Sequence, residues 1–219
     1  MTRAELARLL DHSVLKPEAT LADVEAGIEV VRTWHIGCYC VQPCRVRVSA
    51  AGLAGTDAIV ASVVGFPHGC ERTATKAAEA ALAVEEGAGE IDMVINVGAL
   101  KDGDHALVAA DIAAVVRAAA GVPLKVILET ATLDDERKRV ACRIAVAAGA
   151  AFVKTSTGFH AAGGATVADV RLMRHAVGRA VGVKASGGIR TLADALAMID
   201  AGANRIGTSA SATILTALA

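Results

Sequence analysis

The sequence predicts an α/β protein that folds as a single-domain (β/α)8 barrel, the TIM barrel, with an extra N-terminal helix. Eight short apolar segments alternate with Ala-rich stretches of helical character, which is the pattern of βαβ units and a parallel sheet. The chain of 219 residues has no linker, low-complexity segment or change of composition. We therefore expect one domain over residues 1–219. A doubly wound open sheet is the alternative fold.

The strands are expected at regular intervals, each after a helical stretch. Several helical stretches stop at a glycine, as at Gly87, Gly149 and Gly202, and a strand begins a few residues later. The predicted strands cover residues 9–13, 38–42, 58–65, 90–96, 124–129, 151–155, 181–186 and 204–207.

The composition excludes several classes of protein. A net charge of −1 gives no basic surface for nucleic acid. No apolar run reaches the ~18 residues of a membrane span, and the N-terminus lacks the apolar core of a signal peptide. Aromatic residues are only 2% of the chain, so Ala, Val, Leu and Ile must fill the core. A cytoplasmic enzyme with no nucleic-acid or membrane partner is expected.

Two lysines at the ends of apolar segments are the main candidates for chemistry. Lys154 lies in AFVKTSTG and Lys184 in VGVKASGGIR, at the predicted ends of strands six and seven. Barrel active sites lie at this end of the strands. Burial and a second ammonium nearby both lower a lysine pKa, which yields the free amine that forms a Schiff base. Lysines at strand ends are often only structural, but two in parallel settings favour catalysis.

Acidic residues are expected in the same lumen. Along strand four Ile91, Met93 and Ile95 should face the helices, so that Asp92 and Asn96 face the lumen. Asp92 is therefore a candidate proton shuttle or electrostatic partner, and Asp11 on strand one is another inward acid. Lys125 and Glu129 share a face of strand five, where pairing with each other would account for both.

The five cysteines are interpreted as reduced thiols. Cys38 and Cys40 share one face of a strand, but no spacing supplies the further ligands of a zinc site. We expect no metal, and we expect Cys38 and Cys44 to be buried structural residues.

Two loops have the features of a phosphate site. Ser186-Gly187-Gly188 precedes a predicted helix near Thr191, and residues 207–211 (GTSAS) follow strand eight at another helix start. Helix starts attract anions, and barrels commonly hold a phosphate after strands seven and eight. The loop of residues 163–166 (GGAT) is expected only to cap the next helix.

Six motifs together resemble the deoxyribose-phosphate aldolase family. They are DHSVLKP at 11–17, CVQP at 40–43, VGFPHG at 64–69, EIDMVINVG at 90–98, KTSTGF at 154–159 and KASGGIR at 184–190. The resemblance covers about residues 9–211. It implies reversible cleavage of 2-deoxy-D-ribose 5-phosphate to D-glyceraldehyde 3-phosphate and acetaldehyde, without metal or cofactor, by a homo-oligomer, with a dimer as the guess.

The resemblance also implies roles for particular residues. Lys154 matches the Schiff-base lysine, Lys184 the lysine that lowers its pKa, and Asp92 the acid that handles protons through a water. Matches to pocket, substrate and phosphate positions are Cys40, Thr157, Gly187, Gly188 and Ser209, and Asp11 matches an acid near the second lysine.

Three departures from the family pattern bear on the site. The segment 160–162 is one residue longer than expected, and Ala210 stands where some members have a second serine, which would transfer phosphate contacts to Ser211. The chain is expected to lack a C-terminal tyrosine, since Tyr39 is its only one. Two other functions stay open: a Schiff-base lyase for another sugar phosphate or a keto acid, with Arg190 as its carboxylate clamp, and a non-catalytic phosphate-binding barrel.

Overall fold

The computed structural model describes residues 1–218 and contains a closed barrel of eight parallel strands. Each strand is hydrogen-bonded to the next, and β8 pairs with β1 in the register Leu10 to Ile206. The strands are β1 Leu10–Val14, β2 Cys38–Val41, β3 Ile59–Val64, β4 Glu90–Val94, β5 Leu124–Ile127, β6 Phe152–Lys154, β7 Gly182–Ser186 and β8 Arg205–Thr208. The predicted barrel is confirmed, and the open sheet is excluded.

Residues 1–218 form ten α-helices, and α1 is the extra N-terminal helix that the sequence predicts. They are α1 Arg3–Leu9, α2 Leu21–Trp34, α3 Val46–Gly52, α4 Thr73–Glu85, α5 Val97–Asp102, α6 His105–Ala118, α7 Asp135–Ala147, α8 Val167–Val177, α9 Leu192–Asp200 and α10 Ser211–Thr216. Short 3-10 helices cover Pro43–Arg45 and Thr130–Thr132. None of the helices in residues 1–218 has the length and apolar character needed to cross a membrane.

The main apolar core lies between the strands and the helices. Ile91, Met93 and Ile95 are buried there, on the outer face of the barrel as predicted. A second, smaller apolar cluster lies inside the barrel and consists of Leu15, Cys38, Cys40, Ala61 and Val63, with Phe66 packed against it. We call this second cluster the lumen apolar cluster. Charged side chains fill much of the remaining lumen.

Two sequence predictions near the ends of strands are wrong. Asn96 does not face the lumen, because β4 ends at Val94 and the alternation of faces stops there; its side chain accepts a hydrogen bond from Ala99 N at 3.0 Å and caps α5. Cys44 is exposed on the 3-10 turn after β2, whereas Cys38 is buried as expected.

Candidate active site

Seven charged side chains meet inside the barrel, and we call them the lumen ion group. Its members are Asp11, Glu90, Asp92, Lys125, Lys154, Lys184 and Arg205. All are buried except Arg205, whose side chain is 12% exposed. They come from β1, β4, β5, β6, β7 and β8, whose inward faces converge in a closed barrel.

Asp92 lies at the centre of the lumen ion group. Its Oδ2 accepts hydrogen bonds from Lys154 Nζ at 2.8 Å and from Lys184 Nζ at 2.7 Å, and its Oδ1 accepts one from Lys125 Nζ at 2.7 Å. Lys154 and Lys184 are register partners on β6 and β7. The predicted meeting of two lysines with Asp92 is therefore confirmed as geometry, with both amines on one oxygen atom.

Asp11, Glu90 and Arg205 complete the group. Asp11 contacts Lys184 through Oδ2, and its Oδ1 lies 3.1 Å from Arg205 Nε. Arg205 Nη2 donates to both carboxylate oxygens of Glu90 at 2.6 Å. Asp11 is thus next to Lys184, as the sequence predicts.

The expected pair of Lys125 and Glu129 does not form. Lys125 Nζ lies 2.5 Å from Glu90 Oε2, in addition to its bond with Asp92. Strand β5 ends at Ile127, and Glu129 has a left-handed backbone with φ 55°, so its side chain leaves the face that Lys125 occupies. The Glu129 carboxylate instead accepts hydrogen bonds from Thr157.

The pKa shifts in this group arise from burial and close opposite charges. Burial raises the pKa of Asp92, but Lys125, Lys154 and Lys184 lower it by more, so it lies well below its usual value. The pKa of Asp11 is lowered for the same reasons. Burial lowers the pKa of Lys184, but Asp11 and Asp92 raise it well above that of an ordinary lysine. Asp92 is therefore an anion and Lys184 a cation at neutral pH.

The count of charges distinguishes Lys154 from the other cations. The group has four cationic and three anionic side chains, so full ionisation leaves one positive charge unbalanced. Lys125, Lys184 and Arg205 each contact at least two carboxylates. Among the carboxylates of residues 1–218, Lys154 forms an ion pair only with Asp92. Lys154 is thus the cation with the fewest carboxylate partners in the lumen ion group.

The donor atoms at the bottom of the lumen do not fit a metal. Ligand atoms of Asp11, Cys38 and Glu90 lie within 4.8 Å of one another. Both carboxylates are already bound to Arg205, and Glu90 also to Lys125. Burial raises the pKa of Cys38 well above its usual value, which disfavours the thiolate that a metal requires. The cationic side chains occupy the place that a metal ion would take.

A cavity of about 810 Å³ opens from the amines to the surface. The predicted site residues that line it are Asp11, Cys40, Lys154, Thr157, Lys184, Gly187, Gly188 and Ser209. Asp92 does not line the cavity itself, but it is hydrogen-bonded to Lys154 and Lys184, which do. The structure therefore places the predicted catalytic and binding residues around one cavity.

The part of the cavity after β7 and β8 differs in detail from the predicted phosphate site. The start of α9 is already occupied, because Asp194 accepts hydrogen bonds from Arg190 N at 3.3 Å and Thr191 N at 3.1 Å. This leaves the Gly187-Gly188 turn and Ser209 for an anion. Gly187 must be glycine, since its φ is +91° and a Cβ on it would lie 3.0 Å from Gly164 Cα of the neighbouring loop.

Ser211 does not take over the phosphate contact that the sequence suggested. It is fully buried, and its hydroxyl is hydrogen-bonded to His12 Nδ1 at 3.0 Å. Burial lowers the pKa of His12 to about 4, so this imidazole is neutral near pH 7. Ser211 therefore belongs to the packing behind the cavity, whereas Ser209 is exposed within it.

Cys40 and Thr157 line the wall close to the amines. Burial raises the pKa of the Cys40 thiol, so it contributes an uncharged, weakly polar surface. The Thr157 hydroxyl donates to Glu129 Oε2 at 2.5 Å, so its proton is not free for a ligand. Its oxygen accepts from Phe159 N at 3.0 Å. Thr157 thereby orders the loop after β6.

Sequence reasoning missed Glu90, Lys125 and Arg205 as members of the site. The alternation rule that placed Asp92 in the lumen also applies to Glu90, two residues earlier on the same strand. Lys125 was noted but paired with the wrong partner. Arg205 stands at the start of a strand of four residues, which is too short for an alternating pattern to identify its face.

Comparison with known proteins gives a consistent result. A family profile described as DeoC/LacD family aldolase matches residues 6–214. The chain is 56% identical over 214 residues to the deoxyribose-phosphate aldolase of Methanothermobacter thermautotrophicus, covering 98% of this chain and 95% of the relative. It is 52% identical over 215 residues to deoxyribose-phosphate aldolase 1 of Bacillus licheniformis, covering 98% and 96%.

A solved structure has the same fold along nearly the whole chain. The deoxyribose phosphate aldolase of Aeropyrum pernix, described as having a unique tetrameric structure, superposes with a TM-score of 0.91 at 31% identity. The match covers 98% of this chain and 91% of that one. The two proteins therefore share the same barrel fold.

Proposed function

We propose that this chain, which belongs to the DeoC/LacD family of aldolases, cleaves 2-deoxy-D-ribose 5-phosphate reversibly to D-glyceraldehyde 3-phosphate and acetaldehyde. The observation that carries the proposal is the arrangement of the two amines. Lys154 reaches the cavity with one carboxylate partner, while Lys184 is held as a cation by two. Such a pair suits an amine nucleophile next to a fixed positive charge.

Lys154 is the nucleophile in this proposal. Its free amine adds to the aldehyde carbon of the open-chain sugar, and loss of water gives a protonated imine. A base takes the proton of the C3 hydroxyl, the C2–C3 bond breaks, and its electron pair moves into the imine to form an enamine. Glyceraldehyde 3-phosphate leaves; protonation of the enamine carbon and hydrolysis then release acetaldehyde and restore Lys154.

Lys184 and Asp92 support the nucleophile. The Lys184 ammonium and the Lys154 amine are both bonded to Asp92 Oδ2, so a fixed positive charge lies next to the nucleophile. Asp92 is bonded to both amines and provides a path for protons between them. Asp11 and Lys125 hold Lys184 and Asp92 in place.

The phosphate of the sugar is assigned to the far part of the cavity. Gly187 and Gly188 supply backbone donors, and Ser209 supplies a hydroxyl group. Arg190 also lines this part and is exposed. Cys40 and Thr157 are assigned to the wall near the aldehyde.

The proposal includes self-association and a cytoplasmic location. We propose a homodimer as the simplest closed assembly, since two-fold symmetry is the commonest in soluble oligomers. The cysteines of residues 1–218 are all free thiols, which suits a reducing compartment. Light scattering at several protein concentrations measures the assembly, and a monomer throughout contradicts this part.

A product assay tests the reaction. Incubation with 2-deoxyribose 5-phosphate should release acetaldehyde and glyceraldehyde 3-phosphate in equal amounts, each measured with its own coupled dehydrogenase. Cleavage of a keto acid or another sugar phosphate, with none of this substrate, would favour a different lyase. Binding of the sugar phosphate without cleavage would favour a non-catalytic barrel.

A further inference from the structure

Two phenylalanine rings meet across the mouth of the barrel. Phe66 follows β3 and Phe159 follows β6, and their ring centroids lie 5.2 Å apart with the planes at 84°. Aromatic pairs prefer this edge-to-face geometry. Since β4 and β5 lie between β3 and β6, the contact spans the carboxyl ends of those two strands. We call this pair the aromatic bridge.

The aromatic bridge coincides with one boundary of the cavity. The residues that line the cavity fall between Asp11 and Cys40 and between Lys154 and Ser209, so none of residues 41–153 lines it. Phe159 lines the cavity, as Lys154 does, and 44% of Phe159 is exposed. Phe66 packs against the lumen apolar cluster, from which Leu15 and Cys40 line the cavity. Phe159 therefore borders the cavity on the side of β4 and β5, and Phe66 packs behind the lining.

Hydrogen bonds from the end of β5 fix the Phe159 side of the bridge. Gly158 has a φ of +83°, which turns the chain directly before the ring. Phe159 N donates to Thr157 Oγ1 at 3.0 Å, and Thr157 N and its hydroxyl donate to the buried Glu129 carboxylate at 3.2 and 2.5 Å. The ring position is thus coupled to a carboxylate that has no other described role.

The loop that carries Phe66 is anchored independently. Gly65 N donates to Glu79 Oε2 on α4 at 2.7 Å. Lys76 Nζ, also on α4, donates to the carbonyl oxygens of Gly69 at 2.7 Å and Val94 at 3.1 Å. Both sides of the bridge are therefore held by buried or part-buried polar contacts of the backbone next to each ring, which restrain the positions of the two rings.

We propose that the aromatic bridge limits the length of the aldehyde that Lys154 accepts, so that Phe66 and Phe159 determine donor specificity. The inference rests on the proposed function, because it takes the aldehyde to bind at Lys154. An alkyl chain longer than that of acetaldehyde would extend towards Leu15, Cys40 and Phe159, which line the cavity. Phe66 packs behind Leu15 and Cys40. An apolar wall discriminates by about 10-fold to 200-fold for each added methylene.

Competitive trapping of two aldehydes measures this specificity. The protein is mixed with equal concentrations of acetaldehyde and butanal, and cyanoborohydride reduces the imines to stable ethyl and butyl amines. Peptide mapping gives the ratio of the two groups on Lys154. In Phe66→Ala and Phe159→Ala we expect the butyl-to-ethyl ratio to rise at least about tenfold over the unchanged protein.

The chain offers a matched control in its third phenylalanine. Phe152 lies on β6, packs against Gly182 and does not line the cavity, so Phe152→Ala should leave the ratio unchanged. Where an alanine variant does not fold, the butyl-to-ethyl ratio is measured in Phe66→Leu or Phe159→Leu instead. An unchanged ratio in folded bridge variants overturns the inference while leaving the proposed function intact. No adduct on Lys154 of the unchanged protein with either aldehyde overturns the proposed function, and this inference with it.

Discussion

Replacing Lys184 by methionine tests the charge arrangement that the proposed chemistry requires. The amines of Lys154 and Lys184 lie 2.8 and 2.7 Å from one oxygen of Asp92, so they are at most about 5.5 Å apart. At this distance and an effective dielectric constant near 20, two unit charges repel by roughly 3 kcal/mol. A change of this size in the free energy of activation corresponds to a factor of about 100 in rate.

The assay is the pH dependence of kcat/KM for 2-deoxyribose 5-phosphate. We expect the loss of the Lys184 charge to displace the acidic limb of this profile upward in Lys184→Met. The value of kcat/KM at pH 7 should fall by about 100-fold. Because Asp11 and Asp92 each lose a buried partner, the variant should also lose roughly 3 kcal/mol of stability.

Lys76→Met separates the effect of charge at the site from the effect of lost stability. Lys76 is also fully buried and forms an ion pair with Asp111 at 2.5 Å, away from the lumen ion group. The same change there should cost a similar amount of stability but leave the acidic limb in place. If the acidic limb lies at the same pH in Lys184→Met and in Lys76→Met, the charge of Lys184 does not support the nucleophile.

Three further predictions concern pH stability, the phosphate and metals. Burial lowers the pKa of His12 to about 4, so as the pH falls the unfolded chain is protonated at this histidine before the folded chain is. The stability that neutral His12 contributes is complete above about pH 6.5, and roughly 3 kcal/mol of it is lost by pH 4. In urea unfolding, the free energy of unfolding of His12→Gln should therefore fall less steeply over this pH range. Ser209→Asp should raise KM for deoxyribose 5-phosphate at least about tenfold, or 1.4 kcal/mol, with little change for 2-deoxyribose; equal harm to both sugars contradicts the phosphate assignment. Dialysis against EDTA should leave activity intact, because Lys125 and Arg205 occupy the acids of the lumen; a loss restored by a divalent ion contradicts this.

The sequence predicted the barrel well because its physical signals are local. The strands are short and most are rich in apolar residues, and Gly87, Gly149 and Gly202 adopt positive φ values after the helices that they end. The same period-two alternation placed Asp11 and Asp92 in the lumen. It failed at Asn96, where the strand had already ended and a helix cap took the side chain.

The contacts that complete the site depend on register between distant strands. Arg205 and Glu90 are 115 residues apart, and nothing local in either segment indicates that they meet. The pairing of Lys125 with Asp92 follows from their register on β4 and β5, which becomes known only when the barrel closes. The aromatic bridge depends on two loops whose paths the sequence motifs do not specify.

In the proposed reaction Lys154 is the amine that forms the Schiff base. Borohydride reduction in the presence of acetaldehyde, followed by intact mass and peptide mapping, tests it most directly. We predict one reduced ethyl group per chain, located on Lys154, and no adduct of this kind in Lys154→Met. An ethyl group on Lys184 with Lys154 unmodified would show that Lys184, and not Lys154, forms the Schiff base.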